Sequence, residues 1–421
     1  MKLSEELLWR GQIKDMTFGD ITWLDELTWE KGTKTFYLGA DCQSADSLTI
    51  GNLAVFLLAR RLLKHGWKAV LLVGGATSLI GDPGGKDTER NLTPREQIQA
   101  NVRGIEAQVK HLFSGMEFTL VDNYDWFKDI GYLDFLRDVG KHYSMTELLQ
   151  RDYIQARLGE GGAGISYAEF SYSLIQGYDY WHLFKNHNVI MQIGGSDQWG
   201  NMLSGVPLIR KREGIEAHAL SMPLVINKAT GKKFGKSEDG AVWLDAKRTS
   251  PFKFYQFWIN ADDMGVEDYL KIYTELDKEQ IDQLMAEHRE NPGLRLAQKK
   301  LAYEVTCFIH GKERTDAVER ATSALFGGLS YVDLTKADFE VLAGELKTVK
   351  AQHGVDLAGL LVEAELATSK TEARRFLADS AVYINGSQFS SEKATLEASD
   401  ALHGYVVLRR GKNQTALVEL R

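Results

Sequence analysis

The stretch Lys232-Lys233-Phe234-Gly235-Lys236-Ser237 sets three lysines around one glycine. A mobile loop of this kind can close over a polyphosphate, because ammonium groups neutralise charge that builds on a departing pyrophosphate. Taken alone, a basic loop is more often simply solvated. A second group lies nearer the N-terminus. Tyr37-Leu38-Gly39-Ala40-Asp41 leads through Ala45-Asp46-Ser47-Leu48 into Thr49-Ile50-Gly51-Asn52-Leu53, a strand end, a polar turn and a helix start in sequence. Free N–H groups and the helix dipole favour an anion above such a strand, and the glycine lets a flat ring approach the backbone. Many α/β proteins carry a turn like this. A third group, Tyr172, Gln176 and Asp179, is spaced four and three apart and shares one helical face. That spacing alone also fits a polar surface stripe.

The elements that must position these groups follow from the hydrophobic pattern. From residue 34 to about 230 strand-like runs alternate with helical ones: Thr35 to Ala40, a helix over Ile50 to Lys64, Ala69 to Val73, then a turn cluster from Gly74 to Gly85. Thr93-Pro94-Arg95-Glu96 reads as a helix cap with proline at the first helical position. The helix runs to about Phe113, and Phe118 to Val121 is the next strand. Alternation of this kind predicts a parallel sheet covered on both faces, with ligands at the carboxyl ends of the strands. From Pro251 to about Gly328 the pattern is helical, residues 329 to about 352 read as a connector, and a small α+β pattern follows from about Val355.

Bulk properties narrow the class. A chain of 421 residues is too long for one hydrophobic core, so two or three domains are expected. Hydrophobic residues at 44% and charged residues at 26% are an ordinary globular balance. No apolar run approaches the roughly 20 residues that cross a bilayer, and Met1 to Arg10 lacks the pattern of a signal peptide. Cys42 and Cys307 form no metal-ligand pattern and suit a reducing cytoplasm. A net charge of −8 argues against a general nucleic-acid coat, but not against RNA binding by a local patch.

Together, the turn at Thr49–Asn52 and the lysine loop resemble the paired signatures of class I aminoacyl-tRNA synthetases, usually written HIGH and KMSKS. In order and separation they resemble those of the tyrosyl-tRNA synthetases of the bacterial and organellar type. The resemblance spans nearly the whole chain. It starts at Leu8-Trp9-Arg10-Gly11, continues through Gly74 to Pro83, and is most specific in Glu169 to Asp179 and in Gln192 to Asn201. It implies a Rossmann-like parallel-sheet catalytic domain with a dimerisation insertion over residues 1–230. The signature loop and an all-α anticodon-recognition domain would follow over 231–345, and a small α+β S4-like RNA-binding domain over 353–421.

The resemblance also implies roles. Tyr37 and Asp179 would hydrogen-bond the phenol of L-tyrosine, one donating and one accepting. A site with buried polar partners rejects the ligand lacking the hydroxyl by ~10⁴–10⁵. Asp82, Tyr172 and Gln176 would hold the ammonium group, with Gln192 beside them. Gly39, Asp41, Gly51, Gly194, Asp197 and Gln198 would contact ATP or the adenylate. Thr49, Asn52, Lys86, Arg90, Lys233 and Lys236 would address the phosphates. ATP enters as a substrate with Mg²⁺ on its phosphates and no protein metal site, and tRNA(Tyr) is the acceptor. Ser369 to Phe376 and Val382 to Gly386 resemble an S4-type RNA-binding fold, with Lys370, Arg374, Arg375, Arg409, Arg410 and Lys412 facing phosphate.

The chain departs from the family at the first signature. Threonine stands at position 49 where a histidine is expected, and Asp41-Cys42-Gln43-Ser44-Ala45 carries one residue more than the usual turn. Either Gln43 or Ser44 takes the place of the family's turn threonine. These departures keep open an alternative, a catalytically weakened synthetase-like tRNA- or intron-binding protein. The S4-like tail and the Tyr37/Asp179 pair argue against a tryptophanyl enzyme. A cytoplasmic homodimer is expected, with Phe127, Tyr132, Phe135 and Leu136 offering an apolar surface in the insertion; core packing explains those residues equally well.

Overall fold

Lys68–Val73 reads Lys-Ala-Val-Leu-Leu-Val, and all but its lysine are buried. A continuous apolar run of this kind belongs in a strand covered on both faces. In the computed structural model it is the third strand of a six-stranded sheet. The structure describes residues 1–83, 92–159, 162, 164–237, 240–389, 395–411 and 414–421, with residues 152, 153, 236 and 237 described in their backbone only. Two compact units emerge, one of Met1–Thr249 with Asn260–Leu301, the other of Ser250–Ile259 with Ala302–Arg421.

In the first unit the strands are β1 (Asp15–Met16), β2 (Thr35–Ala40), β3 (Lys68–Val73), β4 (Thr119–Asp122), β5 (Val189–Gly195) and β6 (His218–Met222), in the order β1-β6-β5-β2-β3-β4. Only β1 runs antiparallel to its neighbour. From β2 the sheet grows one way through β3 and β4, and the other way through β5 and β6. The order therefore reverses between β2 and β5, where Tyr37 pairs with Gln192. A crevice outside the carboxyl ends of the strands opens at such a reversal.

The helices that serve this crevice are α1 (Ile50–Lys64), α2 (Arg95–Leu112), α3 (Tyr167–His187), α4 (Trp199–Glu213) and α5 (Val266–Tyr273). α1 starts on a reciprocal cap, since Asn52 Oδ1 accepts from the Thr49 N–H at 2.9 Å. Its Arg61, 2% exposed, donates to the carbonyls of Ile272 and Thr274 at 3.0 and 2.8 Å. That satisfies orphan carbonyls at the end of α5 and ties it to α1. α2 begins one residue later than the sequence suggests, because Pro94 itself occupies the cap with extended ψ of 143°. α3 opens on Ser166, whose hydroxyl accepts from Glu169 N–H, and it ends on left-handed Asn188.

In the second unit residues 329–352, read as a connector, are instead built structure. Helix Lys336–Glu345 is capped where Thr335 N–H donates to Asp338 Oδ2 at 2.8 Å. Asp338 is buried and held by Arg320 in a fork at 2.8 Å on each oxygen. The strand after it, β7 (Thr348–Ala351), joins β8 (Val382–Ile384), β9 (Ser387–Gln388), β10 (Tyr405–Arg410) and β11 (Gln414–Leu420) in the order β7-β11-β10-β8-β9. Helices α6 (Leu357–Glu363) and α7 (Lys370–Ala378) share their core with this sheet through Leu360, Leu361, Ala373, Val406 and Val418. Among the described residues no helix is long and apolar enough to cross a membrane.

Candidate active site

A cleft of about 280 Å³ opens at the reversal point between β2 and β5. From β2 and the start of α1 it is lined by Tyr37, Gly39, Asp41, Thr49, Gly51 and Asn52. Asp82 and the α3 residues Tyr172, Gln176 and Asp179 add a second wall. Gln192, Gly194, Asp197 and Gln198 close the third side, and Lys233 stands at the entrance. Lys86 and Arg90 lie outside the described residues, as does the side chain of Lys236.

The floor of the cleft is a buried polar pair. Tyr37 is 1% exposed, and its hydroxyl has no hydrogen-bond partner among the described residues. Burial, reinforced by the nearby Asp179, raises that hydroxyl well above the usual phenol range. Asp179 is 2% exposed and accepts from Asn123 Nδ2 at 3.0 Å and Trp126 Nε1 at 2.9 Å. Burial pushes its carboxyl up to about 8, against these two hydrogen bonds. A buried donor without an acceptor beside a fixed carboxyl is costly unless a ligand pairs with it. A ligand with one hydroxyl that both donates and accepts answers both groups, which describes a phenol.

Neither Asn123 nor Trp126 was marked by a sequence motif. Asn123 follows the last residue of β4, at a carboxyl strand end, and that position was the available signal. Its Oδ1 accepts from Ala76 N–H at 2.7 Å, so it also braces the turn after β3. Trp126 stacks on His182 of α3 at 4.3 Å.

At the polar wall Asp82 accepts from Gln198 Nε2 at 2.6 Å and from Asn201 Nδ2 at 3.2 Å. Asn201, on α4, is a third residue, after Asn123 and Trp126, to which no motif assigns a role. Gln192 Oε1 is buried and has no hydrogen-bond partner among the described residues. At the entrance Lys233 Nζ lies 3.0 Å from Asp197 Oδ2. The lysine loop and the start of α1 are joined through backbone, with Ile50 N–H donating to Val242 and Val242 N–H to Gly235, each at 3.1 Å.

Residues 30–327 match the family described as tRNA synthetases class I (W and Y), and residues 338–418 match the tyrosine–tRNA ligase SYY-like C-terminal domain. The chain belongs to the class I tRNA synthetases of this family. It is 44% identical to a tyrosine–tRNA ligase of Staphylococcus haemolyticus over 100% of this chain and 99% of the relative. A tyrosine–tRNA ligase of Flavobacterium psychrophilum is 42% identical with the same coverage. Among solved structures, a C-terminally truncated Aspergillus nidulans mitochondrial tyrosyl-tRNA synthetase superposes with a TM-score of 0.68 at 32% identity, covering 77% of this chain and 94% of that one. These relatives favour the ligase reading over that of a synthetase-like RNA binder.

Against this family background the departures at the first signature have a physical outcome. Thr49 Oγ1 donates its one proton to Asn52 Oδ1 at 2.8 Å. Since Asn52 Oδ1 receives both the hydroxyl and the backbone N–H of Thr49, its Nδ2 remains as the donor that lines the cleft. Of the two turn candidates, Gln43 is buried with its carboxamide against Gly81, where a Cβ would meet its Nε2 at 2.5 Å. Ser44 is exposed, and neither residue lines the cleft. Asn101 of α2 holds the turn through the Cys42 carbonyl at 2.8 Å.

The basic residues of the second unit divide between two surfaces. Arg375 of α7 and Arg410 of β10 both lie over Phe376, at 5.4 and 4.7 Å, and Arg374 is exposed beside them. Arg409 points the other way, as strand alternation requires, and covers Tyr383 at 4.4 Å. Lys370 lies 3.8 Å from Asp356. Lys412 lies outside the described residues.

Proposed function

We propose that the chain is a tyrosine–tRNA ligase that activates L-tyrosine with ATP and transfers it to the 3′ end of tRNA(Tyr). The observation that carries this reading is the floor of the cleft, where the unpaired Tyr37 hydroxyl and the Asp179 carboxyl suit one phenol. The ammonium of tyrosine would be held by Asp82, Tyr172 and Gln176, with Gln192 behind them. Its carboxylate then attacks the α-phosphorus of ATP in line. Gly39, Asp41, Gly51, Gly194, Asp197 and Gln198 form the surface for the nucleotide. Mg²⁺ enters as part of the substrate, on the ATP phosphates. Charge on the departing pyrophosphate is met by Asn52 Nδ2, Lys233, Lys236, Lys86 and Arg90, and Thr49 acts by orienting Asn52. Catalysis is positioning plus charge stabilisation, and no protein group forms a covalent intermediate. A terminal ribose hydroxyl of the tRNA then attacks the adenylate carbonyl.

We assign the tyrosine chemistry to residues 1–230, the signature loop and, separately, anticodon reading by an all-α domain to 231–345, and further RNA contact to 353–421 through Lys370, Arg374, Arg375, Arg409 and Arg410. The ligase works in the cytoplasm as a homodimer. Tyr132 and Leu133 are 63% and 77% exposed, an apolar surface on the insertion that a second copy would cover. Phe127 packs on Tyr178 at 5.3 Å and Phe135 on a small core, so those two support the surface from beneath. A monomeric mass by light scattering at micromolar concentration contradicts the dimer. The ligase reading itself is tested by charging tRNA(Tyr) transcript with labelled tyrosine; ATP-dependent charging supports it, and binding of tRNA without charging contradicts it.

A further inference from the structure

The lysine loop is gripped by a residue outside both signatures. After β6 the chain forms a hairpin in which Phe234 N–H donates to Val225 at 2.9 Å and Asn227 N–H to Lys232 at 2.9 Å. Ile226 pairs with Lys233 across it. The ring of Tyr269, on α5, stacks on Phe234 at 4.2 Å and 24°. Its hydroxyl donates to Asp262 Oδ2 at 2.7 Å and lies 3.3 Å from the Ile226 carbonyl. One side chain thus touches both strands of the hairpin. The contact is close-fitting, since Tyr269 is 1% exposed and a Cβ on Gly265 would come within 2.4 Å of its ring and hydroxyl. The Lys228–Asp268 ion pair ties the hairpin turn to the same helix. α5 in turn is anchored to α1 by Arg61, and α1 carries Asn52 at its start. One continuous chain of contacts therefore fixes Asn52 and the strand bearing Lys233, on the two sides of the space that the phosphates would fill.

We infer that Tyr269 is a positioning residue for the activation step, holding Phe234 and Ile226 so that Lys233 meets the polyphosphate at the right distance. The inference rests on the activation reaction proposed above. The residues proposed to hold tyrosine, Tyr37, Asp82, Tyr172, Gln176 and Asp179, all lie outside this hairpin, so the inference expects tyrosine binding to be independent of Tyr269. A small displacement of a charge-stabilising group lowers the rate of the chemical step without weakening the amino-acid site.

The test is single-turnover adenylate formation at saturating ATP and tyrosine, with tyrosine affinity measured by fluorescence titration. Tyr269→Phe keeps the stacked ring and removes only the hydroxyl. Its rate falls about tenfold, the scale of one hydrogen bond, and its tyrosine affinity stays within about twofold of the parent. In a Lys233→Ala background the same change costs less than about threefold, because it acts through that lysine. A rate equal to the parent's overturns the inference. So does a matching loss of tyrosine affinity, or a tenfold loss undiminished in the Lys233→Ala background. A parent chain that forms no adenylate overturns the proposed function and this inference with it. An active parent matched by Tyr269→Phe overturns the inference alone.

Discussion

Asn123 donates to Asp179 Oδ2 at 3.0 Å while its own Oδ1 accepts from Ala76 N–H at 2.7 Å, so a single buried carboxamide links the turn after β3 to the acid at the floor of the cleft. With Trp126 on the other carboxylate oxygen, Asp179 cannot turn away from the space above it. Rigid polar groups of this kind discriminate strongly, because a ligand without the matching atom leaves them unpaired.

Removing the partner hydroxyl should therefore separate tyrosine from phenylalanine. In Tyr37→Phe, kcat/KM for tyrosine activation falls about tenfold, one neutral hydrogen bond, while the value for phenylalanine stays within about twofold. Steady-state pyrophosphate exchange with each amino acid measures both. Equal losses for the two would place Tyr37 away from the phenol.

Asp179 makes tyrosine binding dependent on pH. Burial pushes its carboxyl up to about 8, above the unfolded value of 3.8, so the folded state holds the extra proton between those limits. The stability it contributes is complete below the lower value and is lost as pH rises through the higher one. A tyrosine phenol donating to the carboxylate prefers the ionised form. The rise in Tm caused by saturating tyrosine is thus larger at about pH 8.5 than at about pH 6. A rise that is equal or larger at the lower pH contradicts the assignment.

The cap at α1 predicts unequal roles for Thr49 and Asn52. Asn52→Ala removes the remaining donor and slows adenylate formation by ~10²-fold. Thr49→Val removes only the hydroxyl that orients it and slows the step by about tenfold or less. Single-turnover rates decide it; a larger loss from Thr49→Val makes the threonine the direct phosphate donor.

Arg375 and Arg410 converge on Phe376, whereas Arg409 faces the opposite side of β10. Replacing Arg375 and Arg410 together by alanine lowers kcat/KM for tRNA charging by at least about tenfold, with pyrophosphate exchange unchanged. It also reduces the slope of log affinity against log salt by about 1.4–1.8, as expected for two lost phosphate contacts. Filter binding across a salt series reads the slope.

Strands β2 and β3 and helix α1 are legible in the sequence because each rests on local periodicity, which also puts Tyr172, Gln176 and Asp179 on one helical face without deciding between a site and a surface stripe. Asn123, Trp126 and Asn201 are not legible, because their partners come from distant segments and no spacing rule joins them. Residues 329–352 depart from the expected connector for a related reason. Helix Lys336–Glu345 is weakly amphipathic, and its start is secured by the buried Asp338 pairing with Arg320, a tertiary contact. At Thr49 the sequence showed a missing histidine but not where the hydroxyl proton goes, which the cap geometry decides.

The central claim is that the cleft activates tyrosine and rejects its close analogues. Exchange of labelled pyrophosphate into ATP, measured with tyrosine, phenylalanine and tryptophan in turn, tests it most directly. The account predicts tyrosine-dependent exchange, with phenylalanine lower by ~10⁴ or more in kcat/KM and none above background with tryptophan. Comparable exchange with either analogue, or none with tyrosine in protein that binds it, contradicts the account.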